Sequence, residues 1–224
     1  MRRIDTDQDI AEGLEALVRL DPRLIDVVSK AGQVPLRRVQ PGFPALVSII
    51  VSQQVSRASA EAILGRLVRL VDPLSAAGVL EAGERVFREA GLSRPKQRTL
   101  LALSRAVIDD GLDLHHLAQT DSTKALERLF DVPGVGPWTA QVYLLTAAGH
   151  PDIFPAGDVA LQGAVADALR FDNRPSAKAL SAMAESWAPW RSVAARLFWA
   201  YWRELRGREV TPALVSPKRP VNTA

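Results

Sequence analysis

Asp158 stands in the run Phe154-Pro155-Ala156-Gly157-Asp158-Val159-Ala160-Leu161, where proline and glycine break the chain just before an apolar helical pattern resumes. A carboxylate there faces the start of a helix, whose partial positive charge and free amides favour its ionised form. So held, it can stabilise positive charge developing in a transition state; it can equally be an ordinary N-cap. Asp158 follows Gly136 by 22 residues, and Gly136 belongs to a second segment of interest, Val132-Pro133-Gly134-Val135-Gly136-Pro137-Trp138-Thr139-Ala140. Its two glycines let the backbone turn with amides outward, and the amides of Gly134, Val135, Gly136 and Thr139 could cradle a phosphate at the helix start that Pro137 favours. Taken alone, Pro-Gly-x-Gly is also a tight interhelical turn with no ligand.

Composition narrows the chemistry further. The chain has 224 residues, 47% hydrophobic and 24% charged, which is the profile of a folded domain with its own core. It has no cysteine, which excludes disulfides, thiolate zinc sites, cysteine-ligated iron–sulfur clusters and cysteine nucleophiles. A net charge of +3 suits nucleic acid without demanding it. The N-terminus turns acidic and amphipathic after two arginines, unlike a secretory signal, and no apolar run approaches the roughly 20 residues that span a bilayer. The expectation is a cytoplasmic protein without membrane association.

The elements that must position these residues are helical. Apolar residues recur at helical spacing, and no period-two run of β-branched or aromatic residues competes. Thr6 precedes a first helix, and Asp21-Pro22 restarts a second that stops near Gly32; a glycine- and proline-punctuated loop then leads to a helix over Ala45 to Ser52. Apolar stripes follow at Ile63 to Val71 and Leu100 to Val107, separated by a loop from Ala90 to Lys96. Further helices are expected over Ser122 to Phe130, Pro137 to Ala148, Asp158 to Leu169, Ser176 to Trp187 and Pro189 to Leu205. Beyond residue 212, Pro217, Lys218, Arg219 and Pro220 suggest an irregular basic tail over 213–224.

The segment VPGVGPWTA resembles the hairpin of the helix-hairpin-helix DNA glycosylase superfamily, and FPAGDVAL lies where that family carries its aspartate. The run Ile49 to Ser56 is similar to the family's early helix and wedge loop, and Gly91-Leu92-Ser93 to Lys96 resembles a segment of the alkylated-base branch, the DNA-3-methyladenine glycosylase II type. The resemblance covers about 43–201. It implies an all-α fold of two closely packed helical lobes, with the helix-hairpin-helix motif and an active-site cleft between them. One glycosylase domain over 1–212 is expected, with one lobe near 44–148 and the other from 5–40 plus 150–206. It also implies a monomeric enzyme that binds double-stranded DNA containing damaged bases, everts an alkylated purine such as 3-methyladenine or 7-methylguanine, and breaks its N-glycosidic bond without a cofactor. Asp158 is then the catalytic carboxylate. Lyase-active relatives carry a lysine where this chain has Trp138, and an indole cannot form their Schiff base, so strand cleavage is not expected.

The same resemblance places Trp138 and Trp199 at the base pocket. Spacing adds a hint for Trp199, which shares a helix face with Ser192, Arg196 and Arg203 rather than with the apolar stripe; the other reading is packing at a seam between lobes. Gln54, with Gln53 beside it, is the candidate DNA wedge, filling the gap left by the everted nucleotide, although a solvated glutamine at a helix end fits equally. Arg57, Arg94, Lys96 and Arg98 could contact phosphates. His115, His116 and His150 lie outside these motifs and read as surface or loop residues. The hairpin of this family often holds a monovalent cation on backbone carbonyls, with no side-chain ligand. Two rival readings stay open: a non-catalytic helix-hairpin-helix module that binds DNA backbone, and a glycosylase for another class of lesion.

Overall fold

A computed structural model describes residues 3–207 and 211–214. Among them the regular structure is helical, with no strand: α1 (Asp7–Leu20), α2 (Leu24–Ala31), α3 (Phe43–Ser52), α4 (Arg57–Leu70), α5 (Ala76–Ala90), α6 (Arg94–Ile108), α7 (Leu114–Leu117), α8 (Ser122–Phe130), α9 (Pro137–Thr146), α10 (Val159–Ala168), α11 (Ala177–Ala184) and α12 (Arg191–Arg206), with a 3-10 turn at Glu185–Trp187. Local chemistry starts many of them. Thr6 closes a capping box with Asp9, and the side chains of Ser56, Ser75, Asp113, Asp121, Asp158 and Ser176 each accept an amide of the helix they precede.

The helices in closest contact fall into two groups. In one, α3 packs on α4, α6 and α9, α5 packs on α4 and α6, and α8 lies on α9; in the other, α12 gathers α1, α2, α10 and the 3-10 turn. Both α3 and α9 are buried on nearly every side, so they lack the polar face of a surface helix and read as apolar almost throughout. The two groups share one continuous core.

Arg196 of α12 ties the groups together. Its guanidinium is fully buried and donates to the carbonyls of Leu36, Leu145 and Ser192 at 2.8–3.0 Å. Burial pushes its pKa down to about 9, still above neutrality, so it remains a cation surrounded by acceptors. Trp187, in the core against Phe154 and Phe198, donates its indole N–H to Asp21 at 3.0 Å.

Several expectations need correcting. Helix α5 was not anticipated; its sequence contains Gly78 and Gly83, and Gly83 leaves helical geometry at φ +71°. The expected loop up to Lys96 ends earlier, because Pro95 occupies the first turn of α6. The helix expected over Ser176 to Trp187 tightens into a 3-10 turn after Ala184. His150 lies in a loop, as expected, but is buried. The expected tail begins at residue 213, and Pro217, Lys218, Arg219 and Pro220 lie outside the described residues.

Candidate active site

Three helix ends meet at one open cleft of about 1480 Å³. The C-terminus of α3 brings Ser52, Gln53 and Gln54, the turn into α9 brings Gly134, Gly136, Trp138 and Thr139, and the start of α10 brings Asp158, Val159 and Ala160. Ligand pockets for small molecules run to roughly 300–1,000 Å³. This groove is larger and unenclosed, as a polymer segment requires.

The turn between α8 and α9 is built around Gly134, whose φ is +90°. A Cβ there would also lie 1.9 Å from Thr99 Oγ1, so both conformation and space call for glycine. A Cβ at Gly136 would meet nothing within 4 Å, so that side of the turn is open. Gly136 is the N-cap of α9, Pro137 has no amide to satisfy, and the next amides lack partners within the helix. Val135 differs from expectation: it is buried and its amide donates to Val132 O at 3.0 Å, which removes it from any phosphate cradle.

Asp158 is buried to 6% exposure yet borders the cleft. Its Oδ1 accepts the Leu161 amide at 3.0 Å, as the N-cap pattern requires, and its Oδ2 accepts the Trp138 indole N–H at 2.8 Å. Both carboxylate oxygens are thus fixed, one by α10 and one by the first turn of α9. Each retains a second lone pair for an incoming group. An aspartate serving only as a cap would not need the second donor from another helix.

Gln53 and Gln54 separate in role. Gln53 Nε2 donates to Thr139 Oγ1 at 2.8 Å and lies 3.4 Å from Gly134 O, so it joins the end of α3 to the hairpin. Gln54 is exposed at the loop tip, with φ +54°. Arg57 also borders the cleft, paired with Glu61 at 2.7 Å, while Arg94 and Arg98 are exposed away from it.

Two further expected site residues, besides Val135, are elsewhere. Trp199 is only 2% exposed and does not line the cleft. The polar face that suggested otherwise is itself interior, because Ser192 and Arg196 are buried and bonded to backbone. Lys96 is 8% exposed and donates to Val51 O at 2.7 Å, so it caps the C-terminus of α3 instead of meeting phosphate. Burial lowers its pKa.

The wall contains residues that sequence reasoning passed over. Trp202, Arg206 and Arg174 line the cleft beside α10, and Thr211, Pro212 and Ala213 return to it after α12. Ala213 O accepts Ser52 Oγ at 3.3 Å, and Thr211 meets Arg37 and Arg57. The available signal was an indole four residues before an arginine on one helix, a spacing that brings the two together.

Comparison with known proteins gives a consistent result. Residues 47–190 match the family model described as "HhH-GPD superfamily base excision DNA repair protein". The chain is 33% identical over 208 residues to a Mycobacterium tuberculosis protein named "Probable bifunctional transcriptional activator/DNA repair enzyme AlkA", covering 88% of this chain but 41% of that protein. It is thus similar to less than half the length of that relative. Among solved structures, a DNA-3-methyladenine glycosidase from Bacillus halodurans has a TM-score of 0.74 at 28% identity, covering 94% of this chain and 97% of that one. The Schizosaccharomyces pombe 3-methyladenine DNA glycosylase Mag1, in complex with abasic DNA, shares the fold with a TM-score of 0.78 at 22% identity, covering 86% and 95%.

Proposed function

This chain belongs to the HhH-GPD superfamily of base excision DNA repair proteins, and from that premise we propose that it is a monofunctional DNA glycosylase that releases alkylated purines from duplex DNA. The observation that carries the reading is the carboxylate of Asp158, fixed by Leu161 and Trp138 at the edge of a cleft it shares with Gly134 and Gly136. The hairpin amides anchor the backbone beside an everted nucleotide, and Asp158 faces its deoxyribose. As the N-glycosidic bond breaks, its electron pair leaves with the base and the sugar becomes electron-poor. The carboxylate stabilises that positive charge, and water adds to the anomeric carbon and loses a proton. An N3- or N7-alkylated purine carries a positive charge that the departing electron pair neutralises, so little general-acid help is needed. Gln54, at the exposed loop tip, fills the vacated stack.

Among the described residues, the cleft is lined by arginines and no lysine, and Trp138 occupies the place where lyase-active relatives carry their amine. The product is therefore an abasic site with an intact strand. The cleft is complete within one chain, which supports a monomer as the working form. No helix among the described residues is long and apolar enough to cross a membrane, and a cytoplasmic site of action goes with this reading. We assign 44–148 to one lobe and 5–40 with 150–206 to the other, following the two groups of packed helices.

A panel of single-lesion duplexes tests the proposal. Release of 3-methyladenine and 7-methylguanine is expected, with strand cleavage only after alkali and no covalent adduct on borohydride treatment. Release confined to uracil or oxidised bases would move the assignment to another lesion class, and DNA binding with no release at all would leave a binding module.

A further inference from the structure

We propose that Arg206, laid over the ring of Trp202, and Arg174 form a second phosphate clamp that holds the damaged strand on the α10–α12 side of the cleft. The inference rests on the DNA glycosylase reading and adds a site to it. The Arg206 guanidinium carbon lies 4.3 Å from the Trp202 ring centroid. Trp202 in turn is seated on Gly163 of α10, where an added Cβ would come within 3.0 Å of its ring. The indole is therefore a backing plate between helix and guanidinium. It holds Arg206 at the cleft, and a planar fork of donors suits phosphate.

A basic residue in the last turn of a helix needs no ligand to explain it, since it complements the helix dipole. On α12, however, Arg203 meets that need: it bonds Gln33 O at 3.1 Å and Glu204 at 2.8 Å. Arg206 instead folds back onto Trp202 and faces the cleft. Among the described residues, neither Arg206 nor Arg174 is paired with a carboxylate, and both are exposed. Asp158 and Gly163 are five residues apart, roughly 7.5 Å at the helical rise, so the clamp and the everted sugar lie at different points of the cleft.

Salt-dependent binding to a duplex carrying a stable abasic-site analogue tests the clamp. Each lost phosphate contact should reduce the slope of log K against log salt by about 0.9. The Arg174→Ala/Arg206→Ala double variant should therefore bind several-fold more weakly with a visibly shallower slope, and Arg206→Gln alone should lose part of it. Trp202→Leu keeps every charge, so it should weaken binding while leaving the slope as in the wild type. Thermal melts and circular dichroism verify that these cleft-wall variants fold. A double variant with the wild-type slope overturns the clamp, and if the wild type still releases alkylated bases, the glycosylase reading survives it. Wild-type binding that is flat in salt overturns DNA as the partner and the clamp with it.

Discussion

The indole N–H of Trp138 does what sequence reasoning had not foreseen: it fixes Asp158 Oδ2 at 2.8 Å. A hydrogen bond to a charged group contributes about 1.5–3 kcal/mol, so Trp138→Phe should slow single-turnover base release by roughly ten- to a hundredfold. The effect should fall on the rate more than on KM, and quench-flow kinetics would separate the two. The place of Asp158 at the start of α10 was legible, because helix breakers precede it and an apolar helix follows. Of the two readings of Trp199, packing rather than a place at the pocket fits its burial, for a physical reason. Ser192 and Arg196 give its helix a polar face on paper, but two of the acceptors that satisfy Arg196, the carbonyls of Leu36 and Leu145, come from segments distant in sequence. A buried cation whose partners are backbone carbonyls leaves no mark in residue types.

Helix ends, more than helix faces, build the site. The C-terminus of α3 and the N-termini of α9 and α10 all open on the cleft, and α3 is secured at both of its ends. Tyr143 of α9 is buried and its hydroxyl accepts Gly42 N at 3.0 Å and donates to Leu114 O at 3.1 Å, holding the entry to α3 against α9. Lys96 holds the exit of α3 through Val51 O. Lys96→Ala leaves that buried carbonyl unpaired and should lower unfolding free energy by about 1–3 kcal/mol, measured by urea titration. The salt slope of DNA binding should stay unchanged; a shallower slope would restore Lys96 as a phosphate contact. Element existence was largely readable from helical periodicity and caps. Helix α5 escaped because Gly78 and Gly83 weaken the pattern, and Gly83 leaves the helical region altogether.

At the scale of the whole molecule, the all-helical class followed from periodicity, whereas the burial of His150 could not. It is 1% exposed, and burial first, then the charges of Arg3 and Arg38, push its pKa down to about 4, with Asp121 opposing. The folded chain therefore resists a proton that the unfolded chain accepts below the ordinary value of 6.5. Its contribution to stability is full above that value and is lost as pH falls toward about 4. Urea midpoints of the wild type should fall across this window more steeply than those of His150→Gln; parallel curves would show that His150 takes no part. The two groups of helices meet in one core, so such acid destabilisation should reach the cleft as well as the His150 region.

Asp158→Asn removes the charge at the cleft edge while keeping the α10 cap, since asparagine caps a helix as well as aspartate does; its amide nitrogen then faces the Trp138 indole N–H that Oδ2 accepts in the wild type. Single-turnover release of 7-methylguanine from a duplex should fall by at least about a hundredfold, while affinity for an abasic-site duplex stays close to that of the wild type. Release at the wild-type rate would contradict the assignment of Asp158 as the group that stabilises the reacting sugar.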